Sequence, residues 1–392
     1  MRRHRWGVLV VAVAAVCAAT GTAQAASTRV SVVAAEDFWG SIARQLGGDR
    51  AEVTSLIADP DIDAHDYEAK PSDGAAVATA QVAIVNGIGY DGWMAKLLAA
   101  NPSSSRKVVT VGDVVGVKEG GNPHQWYSPR SVSSVVDAVT EALKQADPAG
   151  AAYFDTQRRT FRTEGLKRYD DLRAQIRAQF NGVEVGASES IFAPLAEDLG
   201  LKLVTPESFI DAVSEGNEPT ARDKATVDRQ ITSKQIKVFV YNEQNSTPDV
   251  EALVGKAKKA GIPVTTVTET LVPKGATFQE WQANQLQRLA DALAQGTGKA
   301  APAVGAAGAS APSFGSAPTP AAAGDTRSSS GDAAPSADGA AATSGAPAGN
   351  LARTGSSARW LVLMAGVAFV VGGLGLAGGP TRCRSRPPMQ GA

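Results

Sequence analysis

Short apolar runs rich in Val and Ile alternate along the chain with longer segments in which apolar residues recur every three or four positions. The short runs are typical of buried parallel strands and the longer segments of amphipathic helices. Predicted strands cover residues 29–35, 51–57, 82–87, 107–112, 184–187, 202–205, 237–242 and 263–268. Their alternation with helices, such as residues 38–46 and 250–260, predicts an α/β fold with parallel sheets.

One long amphipathic segment separates the first four predicted strands from the last four. Asp147 can cap it, Pro148 suits its first turn, and Asn181-Gly182 can end it. Large apolar residues recur within it at helical spacing: Phe154, Phe161, Tyr169, Leu172, Ile176 and Phe180. The pattern predicts a rigid connecting helix of about 50 Å, although an ordinary kinked surface helix would show it too.

The folded part is too long for a typical single domain, so two lobes are expected. We predict an amino-terminal α/β lobe over residues 28–146, a connecting helix over residues 147–182 and a carboxyl-terminal α/β lobe over residues 183–296. Residues 297–350 are almost entirely Ala, Gly, Pro, Ser and Thr. Such a composition buries too little apolar surface to offset its ordering entropy, which predicts a disordered tether.

Residues 1–25 have the pattern of an export signal. Three arginines among the first five residues precede an apolar run over residues 7–19, and residues 23–25 form an Ala-x-Ala cleavage site. The apolar run is short for a membrane anchor. Cys17 could indicate lipid attachment, but Val16 precedes it where a small residue is expected. We therefore expect export, with cleavage by signal peptidase.

Residues 351–392 have the pattern of a second targeting signal. The sequence Leu-Ala-Arg-Thr-Gly over residues 351–355 is followed by an apolar stretch over residues 360–376 and then by a basic tail. An apolar helix of about 20 residues spans a bilayer, and arginines behind it favour the cytoplasmic side. The pentapeptide resembles the Leu-Ala-x-Thr-Gly signal of sortase substrates, which implies linkage to peptidoglycan at the cell surface. A plain single-span membrane anchor is the alternative.

Charge and cysteine content narrow the chemistry further. The formal net charge is −1 and no basic stripe is present, so nucleic-acid binding has no support. Removal of both ends would remove Cys17 and Cys383, which are the two cysteines of the chain. Neither a disulfide nor a thiolate ligand is then expected in the exported product.

Only two histidines remain once the leader, with His4, is removed. His65 follows the predicted strand over residues 51–57, and His124 follows the strand over residues 107–112. Ligands of open parallel sheets bind at the carboxyl ends of strands, and neutral imidazole is a common metal ligand. Both histidines are therefore candidate metal ligands, although His65 could be a loop residue and His124 could pack beside Trp126.

Oxygen ligands could come from the second half of the chain. Glu189 follows the strand over residues 184–187, although a glutamate at a helix start also suits the helix dipole. Asn245 follows the strand over residues 237–242 and is the weaker ligand, with Glu243 or a water as the alternate. We expect His65, His124, Glu189 and Asn245 to converge from the two lobes on one divalent cation.

Several of these segments resemble the zinc- and manganese-type solute receptors of ABC importers. Asn-Pro-His-Gln-Trp around His124 is the most specific match, and residues 30–43 are similar to the first strand and helix of that family. The loop around His65 looks like its first ligand loop, with Ala64 where Pro is usual. The loop around Glu189 looks like its third.

Asn245 departs from the family, because many members are expected to place an aspartate in that loop. The resemblance covers residues 29–293. It implies two α/β lobes joined by one long helix, a metal ion in the cleft between them and delivery of that ion to an ABC permease.

Two imidazoles and one carboxylate favour Zn²⁺ over Mn²⁺, which prefers more oxygen ligands. An enzyme is not expected, because the chain lacks a His-Glu-x-x-His helix motif, a Gly-x-Ser-x-Gly elbow and a cysteine nucleophile after maturation. The sequence thus predicts an extracytoplasmic metal receptor of an ABC importer. A wall-anchored metal scavenger or adhesin without a transport role is the alternative.

Overall fold

A computed structural model describes residues 29–60, 62 and 67–302 of the chain. Its strands are β1 Val30–Glu36, β2 Ala51–Ile57, β3 Val82–Val85, β4 Lys107–Thr110, β5 Glu184–Ala187, β6 Lys202–Leu203, β7 Phe239–Asn242 and β8 Val264–Val267. Its α-helices are α1 Asp37–Gly47, α2 Pro71–Thr79, α3 Gly92–Ala100, α4 Val111–Val115, α5 Pro129–Ala146, α6 Ala151–Thr160, α7 Lys167–Phe180, α8 Ala193–Asp198, α9 Glu207–Ser214, α10 Ala221–Thr232, α11 Pro248–Lys259 and α12 Phe278–Thr297. The predicted leader, nearly all of the tether and the sorting segment lie outside the described residues.

The strands form two four-stranded parallel sheets of the same topology. Their orders are β2-β1-β3-β4 and β6-β5-β7-β8. This arrangement confirms the predicted two-lobed α/β fold with parallel sheets. Four of the eight strands (β3, β4, β6 and β8) end one or two residues earlier than predicted, and the chain after β4 turns at once into α4. The strand order reverses between β1 and β3 and between β5 and β7. In open parallel sheets ligands bind at the carboxyl ends of the strands beside such a point.

The helices bury apolar stripes against these sheets. In α5 the residues Val132, Val135, Val139 and Leu143 are buried at helical spacing. Ser128 caps this helix by accepting a hydrogen bond from Ser131 N at 3.3 Å. Each buried aliphatic side chain contributes roughly 1.5–3 kcal/mol. The stripe therefore fixes the direction of the loop that enters α5, and this loop carries His124.

The connection between the lobes is helical from Pro148 to Phe180 but is not one regular helix. A 3₁₀ turn leads into α6, and a π-helical turn over Phe161–Gly165 separates α6 from α7. The six apolar residues predicted to line this segment are buried. Phe161 within the π turn is itself buried, so the segment contacts the core through the turn as well as through both helices.

A second connection between the lobes comes from α12, which is not among the segments predicted above. It packs along α7 and β8 and also against α1 of the first lobe. Phe278 N donates to Ser41 Oγ at 2.9 Å, and Gln279 and Gln45 exchange side-chain hydrogen bonds. Two helical connections therefore restrict movement of one lobe against the other.

Membrane-spanning capacity can be judged only for part of the chain. Within residues 29–60, 62 and 67–302, none of the helices has the length and apolarity that crossing a bilayer requires. The apolar segment over residues 360–376 lies outside that part.

Glu36 at the end of β1 gives the metal-free fold a pH dependence. Its carboxyl is fully buried beside Asp91, which accepts hydrogen bonds from the backbone N–H groups of Asn86 and Gly87, both at 2.7 Å. Burial, followed by the charge of Asp91, raises the pKa of Glu36 well above its usual 4.5. The folded state therefore favours the protonated form of Glu36 more strongly than the unfolded state does.

A carboxyl whose pKa is higher in the folded state than in the unfolded state stabilises the fold at pH values below its unfolded-state pKa. This stabilisation is lost as pH rises through its folded-state pKa. The unfolding free energy of the wild type should therefore fall relative to Glu36→Gln as pH rises above the usual glutamate value of 4.5. Urea denaturation of the metal-free protein at several pH values measures this difference. Glu52→Gln, at an exposed position on β2, is the control. A pH-independent difference between wild type and Glu36→Gln would contradict the assignment.

Candidate functional site

The predicted site residues lie at different depths. His124 and Glu189 are each 1% exposed, and they come from different lobes. Asn245 is half-buried in the loop between β7 and α11, whereas Glu243 in the same loop is exposed. His65 lies outside the described residues, so the structure does not place it.

His124 is held by side chains on several sides. Its ring packs edge-on against Trp126 and Tyr90, with ring centroids 5.2 and 6.2 Å away. Its Nδ1 lies 2.9 Å from Asn122 Oδ1 and 3.4 Å from Ser190 Oγ. Because Ser190 belongs to the second lobe, the imidazole stands where the two lobes meet.

Glu189 presents a buried carboxylate at the same place. Its Oε2 accepts from Asn245 Nδ2 at 3.3 Å and from Ser214 Oγ at 3.5 Å. No hydrogen-bond donor among the described residues reaches its Oε1. Burial, followed by the charge of Glu269, raises the pKa of Glu189 to about 8. A buried carboxylate in this environment is stabilised by a proton or by a cation.

Glu269 is a candidate ligand that the sequence reasoning missed. It lies two residues after β8 and is 9% exposed. Its Oε2 accepts from Tyr90 OH at 2.7 Å, and its Oε1 accepts from Asn242 Nδ2 at 2.8 Å. Ligands of parallel sheets bind at the carboxyl ends of strands, and Glu269 in the sequence Thr-Glu-Thr lies at the carboxyl end of β8. The same rule could therefore have identified it from the sequence.

The turn that carries Tyr90 is tightly constrained. Ile88 has a φ of 59°, which is costly for a β-branched residue. The Asp91 carboxylate holds the turn by accepting the backbone N–H groups of Asn86 and Gly87. The turn thereby directs the Tyr90 hydroxyl from the first lobe to Glu269 of the second.

These contacts connect His124, Glu189 and Glu269 into one cluster. Ser190 links His124 to the Glu189 loop, and Tyr90 links the His124 ring to Glu269. Within the part of the chain that the structure describes, no three His, Cys, Asp or Glu side chains group closely enough to hold a metal ion. The described side chains therefore form a polar centre of two carboxylates and one imidazole rather than a closed cage.

A cleft of about 690 Å³ opens beside His124 and is lined by both lobes. Four exposed carboxylates line it: Glu119, Glu207, Asp211 and Glu215. Burial, followed by the charges of Glu207 and Glu215, raises the pKa of Asp211. Like charges on the walls of a cleft raise the local concentration of ions of opposite sign, so this cleft favours cations.

Neutral hydrogen bonds join the lobes around the cluster. Asn122 Nδ2 donates to Ser190 O at 2.8 Å, and Tyr127 OH donates to Thr268 O at 2.8 Å. Gln244 of the second lobe donates to the backbone carbonyl of Pro60 in the first, and its Oε1 accepts from Glu269 N at 2.6 Å. These bonds order the loops on which the candidate ligands stand.

Comparison with known proteins agrees with this arrangement. The family model for zinc-uptake complex component A, periplasmic, matches residues 32–292. The chain is 29% identical over 174 residues to the iron-binding protein YfeA of Yersinia pestis, a match that covers 42% of this chain and 54% of that protein. The chain thus spans about half the length of this curated relative.

Two further matches cover most of the length of the matched proteins. The iron ABC transporter substrate-binding lipoprotein MtsA of Streptococcus pyogenes serotype M1 is 22% identical over 304 residues, with 72% of this chain and 94% of that protein covered. A manganese-bound variant of the periplasmic metal-binding protein from Candidatus Liberibacter asiaticus matches with a TM-score of 0.57 at 20% identity. This match covers 67% of this chain and 98% of that chain, and it shows a shared fold.

Proposed function

The chain belongs to the zinc-uptake complex component A family of solute-binding receptors, which are not enzymes, and on this premise we propose that it delivers a divalent metal to an ABC importer. The ion would enter the acidic cleft and bind between the lobes. The membrane permease of the importer, with its ATPase, would then be the partner of the loaded receptor. The observation that carries the proposal is the network of contacts through Ser190 and Tyr90 that links His124, Glu189 and Glu269 between the lobes.

Two adjacent buried carboxylates destabilise a protein unless protons or a cation compensate their charge. We propose His124, Glu189 and Glu269 as ligands, together with His65, which the sequence places in the first ligand loop. Asn245 would then support the site rather than bind the ion, because its Nδ2 points at Glu189 Oε2. Glu243 is exposed and would take no part.

This ligand set changes the expectation for the metal. With one carboxylate the sequence favoured Zn²⁺, whereas a second carboxylate adds oxygen donors and balances the charge of a divalent ion. Zn²⁺ suits the set if each carboxylate binds through one oxygen, and Mn²⁺ suits it if they bind through two. We propose that the ligand is a divalent cation of a first-row transition metal. Elemental analysis of protein purified without added metal would identify it.

Export and surface attachment complete the proposal. The leader over residues 1–25 and the Leu-Ala-Arg-Thr-Gly signal over residues 351–355 predict a receptor held outside the cell, with signal peptidase and sortase as processing enzymes. The sorting signal specifically favours the second candidate function, a wall-anchored scavenger without a transport role. Transport and scavenging differ in whether metal enters the cell.

Deletion of the gene should reduce metal uptake and growth when Zn²⁺ or Mn²⁺ is limiting, because a receptor determines how much ion reaches the permease. Accumulation of radioactive ⁶⁵Zn or ⁵⁴Mn by chelator-treated cells measures the effect. Wild-type gene should restore uptake, and a gene encoding His124→Ala should not. Normal uptake and growth in the deletion strain would favour the scavenger or adhesin over the transport receptor.

A further inference from the structure

Asn122 joins the candidate histidine ligand to the opposite lobe through one side-chain amide. Its Oδ1 accepts from the backbone N–H of His124 at 2.9 Å and lies 2.9 Å from His124 Nδ1. Its Nδ2 donates to the backbone carbonyl of Ser190 at 2.8 Å. Ser190 directly follows Glu189, so the amide spans the two loops that carry these candidate ligands.

The chemistry of these partners fixes the orientation of the amide. A backbone carbonyl can only accept, so the Asn122 NH₂ group must face Ser190 O. The Asn122 oxygen must then face His124, where the backbone N–H of His124 also requires an acceptor. An amide oxygen cannot donate, so the ring nitrogen opposite it must carry the hydrogen. His124 is therefore the Nδ1–H tautomer, and its Nε2 carries the lone pair that a metal ion requires.

We propose that Asn122 is a positioning residue that sets the metal-competent tautomer of His124 through its contact with the second lobe. If Ser190 O moved away, the amide could rotate and present NH₂ to Nδ1. That orientation would favour the Nε2–H tautomer, whose Nε2 cannot bind a metal. The contact between the lobes at Ser190 O and the metal-binding tautomer of His124 are thus coupled through the side chain of Asn122. This inference rests on the proposed function for its biological meaning, but the tautomer itself can be measured without metal.

The test is the tautomer of His124 in the metal-free full chain, determined by long-range ¹H–¹⁵N correlation at neutral pH. We expect Nδ1–H in the wild type. Asn122→Ala should populate the Nε2–H form. Asn122→Asp keeps an acceptor opposite Nδ1 but loses the donor to Ser190 O, so it should retain Nδ1–H. The control Asn101→Ala, whose side chain bonds to Leu97 O in α3, should leave the His124 signals unchanged.

Titration of the same variants with Zn²⁺ links the tautomer to binding. Loss of a hydrogen bond that orients a ligand typically costs ~10–100-fold in metal affinity, and we expect that loss for Asn122→Ala with substantial recovery in Asn122→Asp. A merely structural bond between the lobes would weaken binding equally in both variants, and that result would overturn the proposal. An Nε2–H wild type, or Nδ1–H retained in full by Asn122→Ala, would also overturn it. A wild type with Nδ1–H that fails to bind metal would support the role of Asn122 and refute the proposed function.

Discussion

Alanine in place of His124 should lower the Zn²⁺ affinity of the protein by ~100-fold or more. Four-ligand zinc sites bind with ~10–16 kcal/mol, so one ligand accounts for ~3 kcal/mol, which corresponds to roughly two powers of ten. The double variant His65→Ala with His124→Ala should show no tight binding, because both imidazoles of the proposed site are then absent. Isothermal titration calorimetry with a competing chelator measures both losses.

Two controls separate ligation from folding in this experiment. His124 is buried against Trp126 and Tyr90, so alanine leaves a cavity, and His124→Gln provides a variant of more similar volume. Thermal unfolding of each metal-free variant shows whether the fold survives. Glu119→Gln removes a carboxylate that lines the same cleft at an exposed position and should keep nearly full affinity. Unchanged affinity in the folded double variant would refute the site.

Glutamine in place of Glu269 should weaken metal binding by ~100-fold, because a carboxylate ligand is replaced by a neutral amide. Glu243→Gln is the matched control, since Glu243 and Glu269 follow the neighbouring strands β7 and β8 but only Glu269 is buried. Glu243→Gln should bind like the wild type. Asn245→Ala should lose ~10-fold or less, as expected of a side chain that orients a ligand. Calorimetry with Zn²⁺ and Mn²⁺ gives this ranking directly.

The ranking decides between two assignments of the fourth ligand. If Asn245→Ala lost binding and Glu269→Gln kept it, the sequence-based assignment would stand and Glu269 would be a supporting residue. Metal-free Glu269→Gln should be at least as stable as the wild type, because it removes one of two adjacent carboxylates and with it one cause of the raised pKa of Glu189. A large loss of metal-free stability would instead indicate a structural role in bonding Tyr90 and Asn242.

The sequence predicted the fold well because burial pattern and secondary structure are tied together locally. A strand such as β3 is buried throughout, and its Val-Ala-Ile-Val sequence displays that fact directly. The π turn over Phe161–Gly165 was not predicted, since a single wide turn leaves the apolar spacing of the flanking helices nearly unchanged. The role of α12 was missed because its contacts with α1 and α7 join residues far apart in the chain.

The sequence predicted which loops contribute to the candidate site but not every side chain that these loops place in it. Residue type and position at strand ends selected His124 and Glu189, and the structure places these two in one cluster linked through Ser190. The same reasoning selected Asn245 in the loop after β7 as the fourth ligand and overlooked Glu269 after β8. Nothing in the local sequence distinguishes a glutamate that turns inward, such as Glu269, from one that stays exposed, such as Glu243.

By itself, the sequence determined the α/β class, the two-lobed organisation and the segments that end in loops with ligand-forming residues. These follow from hydrophobic periodicity and turn chemistry, which act over a few residues. Only the tertiary structure decided which side chains share one environment, because burial, charge proximity and the amide orientation of Asn122 depend on contacts between distant segments. The raised pKa of Glu189 belongs to that second class, because burial and the charge of Glu269 cause it.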